Sequence, residues 1–210
     1  MYVPPAFAIN DREFAVDLIA RFPFGLLTTC DAECPQATHL PMLACRQGDE
    51  LVIIGHVARA NPHAAAIGAR HVATAIFSGP HAYVSAAWYE TPSLNVPTWN
   101  YTAVHASGRL SECDAGYVLG ALTDAFEGNR ADPWQLDRMD ADYYQKQLRG
   151  IVAFEMRVER LVCSAKLSQN RNAADRTRVI DALSRSPLPL ERECARAMED
   201  AQSGDATTSG

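Results

Sequence analysis

The sequence predicts an α+β fold in which antiparallel strands form a small closed or split barrel and the helices lie outside it. About six strand-like segments are joined mainly by tight turns, which favours antiparallel pairing. The helical segments collect outside this set of strands, which is typical of α+β domains. No strand is followed by Gly-x-Gly-x-x-Gly, and no Walker loop is present, so a doubly wound nucleotide-binding sheet is not expected.

The first 60 residues predict one helix and three strands. Asn10 and Glu13 have the spacing of a capping box, and Pro23 ends the helix that follows. Strands are predicted at 24–29, 38–45 and 51–58 because these stretches are rich in β-branched and apolar residues between polar turns.

The middle of the chain predicts a short helix and two longer strands. Asn61-Pro62 is a strong helix start, and Gly68 can end that helix. A strand is predicted from 71 to 78, with a kink at Gly79-Pro80 and a continuation at 83–86. After a loop at 90–97, a fifth strand is predicted at 99–110.

The last 100 residues are mainly helical around one strand. A capping sequence at 111–114 opens a helix to about 126, and a second helix covers 140–148. The alternation at 151–161 predicts a strand. Helices follow at 173–183 and 189–199, and the small polar residues 201–210 predict a disordered tail. We therefore expect one domain over residues 1–200.

The bulk composition excludes several classes of protein. The chain has 210 residues, a formal net charge of -6 and a sequence pI of about 5.5. This balance disfavours tight binding to a phosphate backbone, so direct DNA binding is doubtful. No apolar stretch reaches the roughly 18 residues of a membrane span, and the first residues lack signal-peptide features. A cytoplasmic protein is expected, and the arginine and alanine bias is typical of a GC-rich bacterial genome.

The cysteines and histidines do not form a metal motif. Six cysteines are present, but Cys30 and Cys34 have no second pair at zinc-ribbon spacing. The six histidines lie between His39 and His105, without helical ligand spacing. We expect reduced thiols and no metal site.

One candidate site is the segment His56 to Pro62, which contains Arg59 and Asn61. An arginine beside the free N–H groups of a helix start suits a phosphate monoester. The alternative is an ordinary capped helix with a surface arginine, and a lone strand histidine such as His56 is more often structural.

A second candidate is the aromatic stretch 79–101. Side chains at its start, among them His81 and Tyr83, can line a pocket for a planar ligand, with Trp99, Asn100 and Tyr101 facing it. The alternative is a barrel core or a dimer interface, where tryptophan and tyrosine are also enriched.

A third candidate is the polar segment after the strand at 151–161. It contains Lys166, Ser168, Gln169 and Asn170, which can bring donors to an anionic or carbonyl-rich ligand. The alternative, which these residues by themselves favour, is a solvated connection in which Asn170 or Asn172 caps the next helix.

Several motifs occur in an order that resembles the PaiB family of FMN-binding negative transcriptional regulators. The most specific are Val96-Pro-Thr-Trp-Asn-Tyr101 and Lys166-Leu-Ser-Gln-Asn-Arg171, and Gly55-His-Val-Ala-Arg-Ala-Asn-Pro62 also matches. The resemblance covers about residues 1 to 200. Residues 85–87 and 163–165 depart from the pattern of some members, because a Ser-Pro and a second lysine are missing.

The resemblance implies a split β-barrel of the FMN-binding type and a homodimer that holds FMN between its subunits. His56, Arg59 and Asn61 would then hold the phosphate, and Trp99, Asn100 and Tyr101 the ring or the interface. Lys166, Ser168, Gln169 and Asn170 would complete the site from either subunit.

The function expected from this resemblance is FMN binding with negative regulation of transcription, acting directly or indirectly. The alternative is a flavin-dependent oxidoreductase of the flavin reductase or pyridoxamine-phosphate-oxidase type, and haem binding or degradation ranks below it. No catalytic residue can be assigned from the sequence.

Overall fold

The structure is a computed structural model that describes residues 1–30 and 34–207, with side chains up to Gln202. Within these residues it has seven strands and six α-helices. The strands are β1 (Ala8–Ile9), β2 (Phe24–Cys30), β3 (Pro35–Gln47), β4 (Glu50–Ala58), β5 (Val72–Val84), β6 (Thr98–Glu112) and β7 (Ile151–Lys166). The helices are α1 (Arg12–Arg21), α2 (His63–Gly68), α3 (Ala115–Glu127), α4 (Ala141–Arg149), α5 (Ala173–Ser184) and α6 (Pro189–Thr207).

The strands form one antiparallel sheet in the order β1-β7-β4-β3-β2-β5-β6. A further pairing of β6 with β7 closes β2 to β7 into a barrel. Leu26 lies opposite His39 on β3 and opposite Ile76 on β5, so β2 is paired on both edges. The predicted α+β class, with an antiparallel barrel and peripheral helices, is confirmed.

The chain divides into two compact units. The first unit comprises Met1–Asp11, Ser78–Val104 and Val162–Gly210, and the second comprises Arg12–Phe77 and His105–Leu161. The second unit has its own apolar core, whose largest fully buried side chains include Leu27, Met42, Ile53, Phe77 and Phe154. In the first unit α5 packs against α6, where Val179, Leu183, Cys194 and Met198 are buried.

Several strands are longer than the sequence predicts, and two of these differences concern the candidate site. β5 is continuous from Val72 to Val84, without a break at Gly79-Pro80. Its ladder with β2 ends at Ile76, so Pro80 removes no hydrogen bond from that ladder. β7 extends to Lys166, which therefore ends a strand and does not belong to the loop after it.

The helix boundaries also differ in detail. α3 begins at Ala115, because the carboxylate of Asp114 accepts a hydrogen bond from the N–H of Tyr117 at 2.7 Å. Ser111 instead remains in β6. Asn172, one of the two predicted caps of α5, accepts from the N–H of Asp175 at 2.7 Å. α6 continues to Thr207, and residues 208–210 of the predicted tail lie outside the described residues.

Candidate functional site

Three polar side chains of the second unit form a hydrogen-bonded cluster beside the start of α2. The hydroxyl of Thr38 lies 2.8 Å from Nδ1 of His63, and the amide nitrogen of Asn61 donates to this hydroxyl at 3.2 Å. The amide oxygen of Asn61 accepts from the N–H of His63 at 2.9 Å. Asn61 thus fixes the first residue of α2, as the Asn-Pro sequence predicts.

Two buried imidazole nitrogens in this unit lack hydrogen-bond partners within the described residues. They are Nε2 of His63, whose side chain is 1% exposed, and Nδ1 of half-buried His56. Burial lowers the pKa of both rings, so both are neutral near pH 7. A buried polar atom without a partner costs about 1–3 kcal/mol, which a bound ligand can recover.

Arg59 uses most of its guanidinium within the chain. Nε donates to the carbonyl of Arg149 at 2.8 Å, and Nη2 donates to the carbonyl of Ile151 at 2.7 Å. The backbone N–H of Arg59 also donates to the carbonyl of Gly150 at 2.8 Å. Arg59 therefore fixes the turn before β7, and only Nη1 is left without a partner among the described residues.

An exposed group of rings lies on the first unit. Trp99 is 54% exposed, and its ring centroid lies 6.0 Å from that of Tyr83 and 6.4 Å from that of His81. Tyr101 follows on the same face of β6 and is half-buried. We call His81, Tyr83 and Trp99 the aromatic surface, because a flat ring system can pack on it.

Asn100 points to the other face of β6 and is fully buried. Its amide nitrogen donates to the hydroxyl of Ser168 at 2.9 Å and contacts the sulfur of Met198 at 3.3 Å. The Ser168 hydroxyl lies 3.2 Å from the amide oxygen of Asn100. These residues hold β6 to the loop after β7 and to α6, so they position neighbouring groups and present no free donor to a ligand.

Lys166 and Gln169 are also bonded within the first unit. The ammonium of Lys166 donates to the carbonyl of Trp99 at 2.6 Å and to the hydroxyl of Thr98. Burial and then the neighbouring Arg171 lower the pKa of Lys166. Gln169 accepts from the N–H of Leu167 at 2.7 Å and donates to the carbonyl of Ala165, which shapes the loop. Asn170 is exposed.

The structure brings together only part of the predicted set, and it adds members that the sequence analysis did not assign. Lys166 reaches the backbone of Trp99, and Asn100 meets Ser168. Thr38 and His63 join Asn61, although their signals in the sequence are weak. Thr38 is an ordinary strand residue, and His63 is simply the residue after Asn-Pro.

Two further properties of the described part of the chain bear on function. No group of three or more histidine, cysteine, aspartate or glutamate side chains is arranged to hold a metal ion there. None of its helices combines the length and the apolar character needed to cross a membrane. All six cysteines are thiols, with Cys30 and Cys34 exposed and Cys163 and Cys194 buried.

A family model described as "Putative FMN-binding domain" matches residues 1–160. The match contains the predicted site residues from His56 to Tyr101 and stops before Lys166. The chain is 36% identical over 203 residues to "Protease synthase and sporulation protein PAI 2" of Bacillus subtilis, covering 95% of this chain and 97% of the relative. It is 28% identical to an uncharacterized protein of Aspergillus fumigatus, covering 95% and 97% respectively.

Solved structures show the same fold at low sequence identity. The FAD and heme binding protein of Mycobacterium smegmatis aligns with a TM-score of 0.59 and 20% identity, covering 81% of this chain and 78% of that one. The flavocytochrome Anf3 of Azotobacter vinelandii aligns with a TM-score of 0.56 and 17% identity, covering 76% and 69%. The predicted split barrel and the predicted resemblance are both confirmed.

Proposed function

Because the chain belongs to the "Putative FMN-binding domain" family and has FMN as its cofactor, we propose that it is a regulatory flavoprotein of the PaiB type. The observation that carries this proposal is the family match over residues 1–160 together with the similarity to PAI 2 along nearly the whole chain. Its low-identity structural neighbours contribute evidence for the fold alone.

The residues at the start of α2 have the chemistry needed at the phosphate end of FMN. We assign this end to His56, Arg59, Asn61 and His63, with Thr38 as the residue that positions the His63 ring. In this assignment the remaining Nη1 of Arg59 bonds a phosphate oxygen, and the unpartnered Nε2 of His63 and Nδ1 of His56 do so once the site opens, since both atoms are buried in the structure. α2 has only six residues, so the side chains, and not a helix dipole, must supply most of the attraction.

The ring end of FMN is assigned to Trp99 and Tyr101, whose rings offer dispersion and stacking to the isoalloxazine. Asn100, Lys166, Ser168, Gln169 and Asn170 support this end: four of them hold β6 and the following loop in place. Asn170, which is exposed, is the member proposed to reach the ligand from the partner subunit of a homodimer. When bound, the flavin supplies reversible electron transfer.

We assign the regulatory role to an indirect mechanism in the cytoplasm. The net charge of -6 disfavours phosphate-backbone binding, so the occupancy or redox state of the flavin, and not operator binding, is the signal in this proposal. The name of the relative PAI 2 supports a regulatory role, because it refers to protease synthesis and sporulation.

FMN titration monitored by flavin fluorescence tests the assigned site. The wild-type chain should bind one FMN saturably, and Arg59→Ala should weaken binding by about 1.5–3 kcal/mol, the range of a charge-assisted hydrogen bond. His63→Ala should also weaken it, by about 0.5–1.5 kcal/mol. Arg185→Ala is the matched control, because Arg185 is exposed immediately after α5 and its replacement should leave the affinity unchanged.

Unchanged affinity in both Arg59→Ala and His63→Ala would remove the phosphate assignment, and no saturable FMN binding by the wild-type chain would contradict the function itself. Salt-sensitive retention of promoter DNA would contradict the indirect mechanism. Bleaching of the bound flavin by NAD(P)H with turnover of an acceptor would instead favour the oxidoreductase alternative.

A further inference from the structure

A second cleft in the second unit is lined by two arginines. It has a volume of about 830 Å³, within the range of small-molecule sites. It lies where the end of β2, the start of β5 and Arg109 of β6 meet, and none of the described residues that line it is acidic. Its lining residues are Thr28, Thr29, Cys30, Pro35, Ala69, Arg70, His71, Val72, Ala73, Thr74 and Arg109.

Arg70 has an unusual backbone conformation for an arginine. Its φ is 56°, in the left-handed region, and it lies just after α2. The N–H of Arg70 donates to the carbonyl of Ile67 at 3.0 Å, and the N–H of His71 donates to that of Ala66 at 3.0 Å. This is the Schellman arrangement, in which glycine is the usual residue at the left-handed position.

An arginine at this position carries a conformational cost that glycine would avoid. The nearby glycine, Gly68, lies two residues earlier, within α2. The strained position is therefore occupied by an arginine and not by a glycine. A backbone outlier of this kind is evidence for a role of the side chain. Among the described residues the Arg70 guanidinium forms no ion pair, so no contact there accounts for the arginine at this position.

Arg109 is positioned beside Arg70. Its Nη1 donates to the carbonyl of Arg70 at 3.1 Å, which ties the two residues together. A smaller cleft of about 340 Å³ is lined by both arginines and by Glu155 and Glu159. Among the described residues, neither of these carboxylates forms an ion pair with Arg70 or Arg109. The remaining guanidinium nitrogens therefore have no ion-pair partner among the described residues, while the nearby carboxylates reduce the attraction for any anion.

Hydroxyl groups complete the lining on the strand side. The Thr28 hydroxyl donates to the carbonyl of Thr74 at 3.1 Å, and the Thr74 hydroxyl lies 2.9 Å from that of Ser107. Because the Thr28 hydroxyl already donates within the chain and the Thr74 hydroxyl is paired with Ser107, the anion contacts of this cleft come from the guanidinium groups, which bind planar or tetrahedral oxyanions through paired N–H donors.

We propose that Arg70 and Arg109 form the anchoring end of a second ligand site, which binds a small molecule carrying a phosphate or carboxylate group. This site is separate from the residues assigned to FMN. It gives the protein a place for a metabolite or effector in addition to its flavin.

Calorimetric titration of the FMN-loaded protein tests this site, because FMN then already occupies its own phosphate position. The two probes are inorganic phosphate and succinate, each in a chloride buffer free of other oxyanions. At least one probe should bind saturably to the wild-type protein, and the one that binds identifies the anion class.

Arg70→Gly is the decisive variant. It should weaken probe binding at least tenfold while the thermal unfolding temperature stays the same or rises, because glycine relieves the strained φ. Arg109→Ala should weaken binding to a similar extent, and Arg185→Ala should not. A residue with a merely structural role would show the opposite pattern for Arg70→Gly, with lower stability and unchanged binding.

Three results would overturn the proposal. One is the absence of saturable binding of either probe to the wild-type protein. Another is equal binding by Arg70→Gly. The third is a loss of FMN affinity in Arg70→Gly, since the cleft would then belong to the flavin site. Failure of the flavin assignment alone is a different result: it would appear as unchanged FMN affinity in Arg59→Ala.

Discussion

At the scale of single residues, the burial of His63 links the candidate site to stability. Its ring is buried, with one nitrogen bonded to Thr38 and the other unpartnered, and burial lowers its pKa below the ordinary value of 6.5. The unfolded chain therefore takes up a proton at a higher pH than the folded chain does. The stability that depends on neutral His63 is present above pH 6.5 and is lost as the pH falls through the folded-state pKa.

We expect the free energy of unfolding in urea to decrease as the pH falls below 6.5, by at most about 1.4 kcal/mol per pH unit for each such histidine. His56 and His105, whose pKa values burial also lowers, contribute in the same direction. His63→Gln should make the free energy of unfolding depend less steeply on pH, whereas His39→Gln, at an exposed position, should leave the steepness unchanged. An equally steep dependence in His63→Gln would show that His63 is not responsible.

At the scale of elements, the close approach of β6 and β7 depends on Gly108. A Cβ atom at this position would lie 1.9 Å from the carbonyl oxygen of Arg157, a distance that no side chain tolerates. The two strands could then meet only after the backbone moved. This contact explains a glycine inside a strand, where the residue otherwise weakens the structure.

We expect Gly108→Ala to destabilise the chain by more than about 3 kcal/mol or to prevent folding, because it forces a backbone shift between the two strands. Gly120→Ala is the matched control: Gly120 lies within α3, and a Cβ there meets nothing within 4 Å. This control should stabilise the chain by about 0.5–1 kcal/mol through helix propensity. Denaturant unfolding measures both, and similar curves for the two variants would refute the steric argument.

At the scale of the whole molecule, the aromatic surface favours a homodimer. Trp99 and Tyr83 are 54% and 43% exposed, and clustered exposed rings are typical of surfaces that another protein or a ligand covers. The homodimer remains a proposal, and its test is the mass of the particle in solution.

Sedimentation equilibrium should give twice the chain mass of 22.9 kDa. In Trp99→Ala the dimer should dissociate at a higher protein concentration than in the wild type. Trp134→Ala is the control, because Trp134 is also exposed but lies in a separate loop before α4. A monomer at all concentrations would contradict the dimer. Equal dissociation in both variants would place the interface away from Trp99.

The sequence by itself determined the class of fold and the family. Apolar alternation, turn residues and capping side chains act over a few neighbouring residues, so most strands and helices could be predicted within a few positions. The specific blocks around Asn100 and Lys166 were sufficient for the resemblance to the PaiB family. The exact helix start at Ala115 was missed because Ser111 and Asp114 both have the chemistry of a cap.

Only the tertiary structure decided what the polar residues do. Asn100 and Ser168 resemble ligand contacts in the sequence, yet burial turns them toward each other. Arg59 resembles a free phosphate ligand, yet two carbonyl oxygens from a segment about 90 positions later in the chain occupy its fork. Whether a polar side chain bonds a ligand or the backbone depends on which groups folding brings beside it. Arg70 became a candidate ligand residue only because the structure shows its left-handed φ, which no local sequence pattern predicted.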